Sequence, residues 1–210
     1  MGLPSCELTL FLLFATAFHG LGAPTSTPEI TIRVEDYSRM DAKEMAAAEA
    51  SAGRILSRAG VDAKWQHCPK PPHRAWKQTG CTGQGDLETN LTVRVLPEHM
   101  ARKIARRSRE VGLSIWTRDG IFPTDAYVFF DRVVSLSDGD RTTLPALLGA
   151  AMAHEVGHLL LGTDSHSEVG IMRAAWGREE VKQTLWGLLI FTPRQAEQMC
   201  ANVGRRVAGK

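Results

Sequence analysis

The sequence predicts an α+β fold in which a five-stranded sheet, formed within the first two thirds of the chain, packs on helices. Three observations carry this. Five short runs between positions 29 and 134 either alternate apolar with polar residues or are rich in β-branched and aromatic ones, as strands require. An Ala-rich stretch with helical punctuation follows the first of them, and from Thr143 onward the apolar residues recur at helical spacing. With 210 residues, 43% hydrophobic and 23% charged, the chain has room for one domain with a sizeable core, which excludes wholesale disorder.

Glu29 to Val34 alternates after Pro28 and reads as the first strand. Asp41 to Ala59 follows as a helix, started by the Asp41 side chain and closed by Gly60. Val61 to Cys68 is a second strand, and Pro69 to Glu88 a loop. Asn90 to Leu96 is a third strand with Leu91, Val93 and Val95 on one face. Pro97 opens a short helix to Arg107. Leu113 to Trp116 is a short strand, and Ala126 to Val134 a longer one suited to a buried sheet. Leu144, Leu147, Leu148, Ala151 and Met152 lie on a helix that Gly162 is placed to end in a left-handed turn. Further helices are expected over Arg178 to Leu189 and Pro193 to Val203, the latter entered through Thr192 as N-cap. No internal repeat or low-complexity tract is present.

Leu8 to Phe18 is an apolar run of signal-peptide length followed by the small residues Gly20, Gly22 and Ala23. The expectation is a signal peptide over 1–23 and one mature domain over 24–210, secreted or periplasmic. That domain divides into an N-terminal subdomain, 29–162, and a small helical C-terminal one, 163–210. No later stretch reads as apolar for long enough to span a membrane. The chain carries a net charge of +2, made one unit more positive by loss of Glu7 with the signal. The bases Arg102, Lys103, Arg106, Arg107 and Arg109 cluster, but no nucleic-acid motif accompanies them, so nucleic acid is not an expected partner. A monomer is expected.

Loss of Cys6 leaves Cys68, Cys81 and Cys200. A disulfide between Cys68 and Cys81, stapling the Pro- and Gly-rich loop, is the expected pairing in an oxidising compartment. The rival, a zinc site using His67 or His73, lacks the usual CxxC spacing. Asn90-Leu91-Thr92 is a glycosylation acceptor pattern.

The chemistry concentrates at His154-Glu155-Val156-Gly157-His158. Residues four apart on a helix project from one face, so the two imidazoles can bind a single metal while Glu155 stands beside it as a general base. Two imidazoles, a third donor and an open position are the usual catalytic arrangement of zinc. Past Gly162, His166 and Asp164 both have the reach to be the third ligand, and ligand preference favours His166. By itself the five-residue pattern occurs in unrelated helices. Here it follows an apolar helix and precedes a glycine and a third histidine. His67, His73 and His99 read as loop or surface residues.

The run His154 to Met172, HEVGHLLLGTDSHSEVGIM, resembles the signature of the metzincin clan of zinc peptidases, HExxHxxGxxH followed by a methionine turn. This sequence has one extra residue before Gly162 and one between Gly162 and His166. Asp164 therefore stands where strict clan spacing puts the ligand, whereas His166-Ser167 leading into Gly170-Ile171-Met172 looks like the clan's own approach to its turn. The resemblance implies that His154, His158 and His166 bind one Zn2+, that Glu155 is the general base, and that Met172 floors the site. It further implies a twisted mixed five-stranded sheet with an active-site helix, and a secreted metalloendopeptidase acting on peptide or protein. The substrate would lie extended near an edge strand around Leu113 to Trp116. Arg173 and Ala174 follow Met172, so no tyrosine ligand is offered there, and residues 24–28 are too short for a latency segment. A zinc-binding module without proteolysis and a hydrolase of a non-peptide amide are the alternatives. Whether the fourth coordination position is open or closed distinguishes a catalytic from a structural metal. The apolar stretch Trp176, Trp186, Leu188, Leu189 and Phe191 is expected to pack in the core.

Overall fold

A computed structural model describes residues 29–68, 90–105, 110–115, 123–163 and 166–208. The predicted signal peptide, the 69–88 loop with Cys81 and His73, and Trp116, Asp164 and Ser165 lie outside the described residues.

The strands are β1 (Glu29–Asp36), β2 (Asp62–His67), β3 (Asn90–Leu96), β4 (Gly112–Ile115) and β5 (Asp125–Phe129). They form one sheet in the order β2-β1-β3-β5-β4. The first three pairings are parallel and β4 runs antiparallel to β5, so the sheet is mixed and β4 lies at its edge. Among the described residues six helices accompany it: α1 (Ala42–Arg58), α2 (Glu98–Ile104), α3 (Phe130–Leu136), α4 (Leu144–Leu161), α5 (Arg178–Leu185) and α6 (Pro193–Ala208). The expected α+β architecture is therefore observed.

Alternation along the strands decides the layers. Ile32 and Val34 of β1, Val93 and Val95 of β3, and Ala126 and Val128 of β5 share one face and are buried under α1 and α4. Each of the valines and the isoleucine, withdrawn from water, stabilises by roughly 1.5–3 kcal/mol. The two helices approach closely because α4 carries Gly149, where a Cβ would run into the main-chain oxygen of Ala48 on α1. Asp41 starts α1 by accepting from the amides of Lys43 (2.8 Å) and Glu44 (3.4 Å), as its position predicts.

The opposite face holds a smaller apolar cluster, Leu96, Ala101, Tyr127 and Phe129, beside a polar network. The Arg94 guanidinium donates to Glu35 (2.9 Å) and Asp125 (2.5 Å), and the Tyr37 hydroxyl donates to Glu35 (3.1 Å). Buried charges survive only when paired, and here each has its partner on a neighbouring strand.

Four expectations are corrected. The fifth strand ends at Phe129, not Val134, and Phe130–Leu136 is helical. Its neighbours supply the reason: β3 pairs no further than Leu96 with Phe129, and β4 begins at Gly112 opposite Val128. Beyond that register Val133 and Val134 have no strand to join among the described residues, and weak β-propensity yields to tertiary context. The helix expected over 178–189 stops at Leu185, closed by Trp186 and by Gly187 with a positive φ of 67°. The last helix runs past Val203 to Ala208. Finally, α4 is by length and composition apolar enough to cross a membrane, with mean hydropathy 1.3 over its 18 residues. All its residues except Pro145 and Ala146 are buried in the protein, which makes it the core helix.

Candidate metal centre

α4 delivers the three central side chains and the turn after it returns the fourth. His154 and His158, one helical turn apart, bring their Nε2 atoms to 3.1 Å from one another. Gly162 ends the helix in the left-handed conformation at φ 69°, as glycine best can, and the chain reverses. The His166 ring then stands 4.8 Å from that of His158 and 5.4 Å from that of His154, centroid to centroid. Their ligand atoms all lie within 4.8 Å of one another.

The second nitrogens decide which lone pairs are presented. His154 Nδ1–H donates to the main-chain oxygen of Ile171 at 2.7 Å, and His158 Nδ1–H to that of Thr163 at 3.0 Å. A carbonyl only accepts, so both rings carry their proton on Nδ1 and turn a bare Nε2 toward the same point. Two buried acceptors facing each other are unfavourable on their own, and a cation between them removes the conflict. Two donors about 2.0–2.1 Å from one tetrahedral ion stand about 3.3 Å apart, close to the observed separation. The donor set therefore fits zinc: three imidazoles, two of them oriented by carbonyls as metal-bound histidines usually are. Burial, followed by the neighbouring His158, holds His154 down to about 3, so this ring stays neutral.

Glu155 points from the adjacent helical position, with Oε1 3.9 Å from His154 Nε2. Burial drives its carboxyl up to about 8, opposed by a hydrogen bond from Ser114 and reinforced by the charge of Glu110. The Ser114 hydroxyl lies 3.0 Å from Oε2 and 3.1 Å from the main-chain oxygen of Glu155. An open cleft of about 270 Å³ gives access to these groups. The 110–114 segment and Ala174 line it together with His154, Glu155, His158 and His166. The three imidazoles and the Glu155 carboxyl thus face the same cleft.

Met172, in the segment that follows, is fully buried. Gly157 makes room for it: a Cβ there would come within 2.7 Å of Met172 Sδ and 2.6 Å of Phe191 Cε1. The turn carrying Met172 is closed by Ser167 N–H donating to Met172 O (2.8 Å) and Ile171 N–H to Ile190 O (2.9 Å), with Gly170 at φ 74°. Glu180 then anchors the following segment, accepting from Gly177 N–H (2.8 Å) and Arg173 Nη1 (2.5 Å). The Trp176 ring stands edge-on to His154 at 5.6 Å.

The four residues predicted from the motif are thus brought together, while Asp164 lies outside the described residues. His67, on β2 and 3.1 Å from Glu49, and His99, on α2, are both exposed, in line with their reading as surface residues. Among the described residues Cys200 is the free cysteine. The expected core role holds for Leu189 and Phe191, but Trp186 and Leu188 are 67% and 61% exposed. They flank the tight turn at Gly187, which faces them outward, and neither reaches the cleft. Sequence reasoning missed Ser114, Gly112 and Gly157. One signal was available: the core-facing positions of β4, paired with Ala126 and Val128, hold serine and glycine where an apolar strand face is expected.

No protein-family model and no curated protein matches this sequence. Among solved structures, the fold is similar to that of a zinc-dependent peptidase from Methanocorpusculum labreanum, with TM-score 0.54 and 14% identity, covering 80% of this chain and 99% of that one. It is likewise similar to archaemetzincin from Methanopyrus kandleri, with TM-score 0.52 and 16% identity, covering 88% of this chain and all of the other.

Proposed function

We propose that the chain is a zinc-dependent metalloendopeptidase in which His154, His158 and His166 hold one zinc ion and Glu155 is the general base. The observation that carries this is the convergence of three imidazoles, two of them fixed by main-chain carbonyls, at an open cleft beside a buried carboxylate. The fold neighbours support it, since their own descriptions are those of a zinc-dependent peptidase and an archaemetzincin.

When bound, zinc supplies Lewis acidity that polarises the scissile carbonyl and acidifies a water in the cleft. Every other step belongs to the chain. Glu155 takes a proton from the attacking water and returns it to the leaving nitrogen. Ile171 and Thr163, through their carbonyls, keep the Nε2 atoms of His154 and His158 aimed at the metal position. A peptide lies extended along the outer edge of β4, the last strand of the sheet, and hydrogen-bonds to its main chain.

Export belongs to the same proposal, with 1–23 as signal peptide and 24–210 as a single catalytic domain, monomeric and extracytoplasmic. A disulfide between Cys68 and Cys81, with Cys200 free, belongs to the same reading. The test is zinc content and cleavage of a mixed peptide library by the mature chain and by Glu155→Gln. One zinc in both with cleavage only by the parent is the expected result. Cleavage by Glu155→Gln would end the general-base assignment, and one zinc with cleavage by neither would end the peptidase reading.

A further inference from the structure

We propose that Ser114 is a positioning residue for the reaction: its hydroxyl holds Oε2 of Glu155 against the edge strand, leaving Oε1 as the oxygen that works at the metal position. This rests on the reading of Glu155 as general base.

The geometry points this way from three sides. Glu155 is 2% exposed, and a buried carboxylate requires a donor to stay in place. Ser114 provides one at 3.0 Å from Oε2, while the other oxygen, Oε1, is the one 3.9 Å from His154 Nε2. Ser114 is itself fixed by the sheet, since its partner Ala126 on β5 sets its register and the period of two turns its side chain toward α4. Two residues earlier on the same face, Gly112 supplies the space. A Cβ there would overlap Oε1 and come within 2.6 Å of the Glu155 Cδ, so the carboxyl lies directly against bare backbone. Glycine and serine at alternate positions thus form a seat for one carboxylate, with bare backbone beside Oε1 and a hydroxyl on Oε2. A strand serving only as packing would place apolar side chains at these two positions, as β5 does opposite them with Ala126 and Val128.

The test compares the zinc-loaded full chain with Ser114→Ala and Ser114→Thr, using steady-state cleavage of a peptide library member, metal content, and crystal structures of the zinc-loaded proteins. Leaving a buried carboxyl oxygen without its donor predicts kcat lower by about ten- to a hundredfold in Ser114→Ala. KM stays unchanged and one zinc is retained. Ser114→Thr, which keeps the hydroxyl on a β-branched frame, restores most of the rate. In the structures the Glu155 carboxylate keeps a single position in the parent and in Ser114→Thr, and leaves it in Ser114→Ala. A wild-type kcat in Ser114→Ala, zinc lost in step with activity, or an unmoved carboxylate without the hydroxyl would each overturn the assignment. If the parent cleaves no peptide, the peptidase reading falls, and the carboxylate position in Ser114→Ala still decides whether the serine holds it.

Discussion

The imidazole of His154 donates from Nδ1 to the main-chain oxygen of Ile171, 2.7 Å away and 17 residues later in the chain. The aim of a proposed zinc ligand therefore depends on the backbone of the turn that carries Met172, not on a side chain that substitution at Ile171 could remove. Gly170, at φ 74° and with a would-be Cβ 2.7 Å from Ile190 O, keeps that backbone in place.

Gly170→Ala is accordingly expected to weaken zinc binding by about 10–100-fold, the usual effect of losing an outer partner of a histidine ligand. Competition with a fluorescent chelator measures it. Unchanged affinity would show that Ile171 O does not orient His154.

Gly157→Ala places a methyl group against Met172 Sδ and Phe191. Overpacking of this kind costs about 1–3 kcal/mol, read as a lower urea midpoint at constant m-value. A midpoint equal to the parent's would mean that the methionine turn moves aside freely.

Chelation of the zinc-loaded protein should lower thermal stability, because a ligand that binds only the folded state contributes about 2.7 kcal/mol at a hundredfold excess over its dissociation constant. His158→Ala should show no zinc-dependent shift in melting temperature. A shift of parental size in that variant would place the metal elsewhere.

The exposed turn and the buried stretch after it should respond differently. Phe191→Ala is expected to cost about 3–5 kcal/mol, whereas Leu188→Ser falls within about 0.5 kcal/mol of the parent. Equal losses by chemical denaturation would contradict the exposure of Leu188.

The chain has two tyrosines, and both ionise late. Burial first, then the Glu35 carboxylate, pushes Tyr37 up to about 12, and burial also raises Tyr127 against the pull of Arg94. A folded value above the unfolded one of 10.0 means the contribution of Tyr37 is complete below pH 10 and is lost as pH rises toward 12. Absorbance at the tyrosinate band should stay low at pH 10 in the native protein and rise there in denaturant. Half-ionisation at pH 10 in the native state would be the contrary result.

Local pattern determined much of this protein. The period of two at Leu91, Val93 and Val95, the cap at Asp41, the glycine stop at Gly162 and the four-residue spacing of His154 and His158 are all short-range, and the elements they mark were legible from the sequence. The return of His166 to the other two rings was legible in outline, as a donor past a glycine turn. What only the tertiary structure decided involves partners distant in the chain. The strand after Asp125 stops at Phe129 because its neighbours stop, which no property of Val133 or Val134 foretells. Trp186 and Leu188 face outward because Gly187 turns the backbone there, although their hydrophobicity equals that of core residues. Ser114 meets Glu155 across 41 residues, and Ile171 meets His154 across 17. Such meetings depend on the register of β4 and the path of a turn, and a hydroxyl or a carbonyl carries no mark in the sequence of the group it will face.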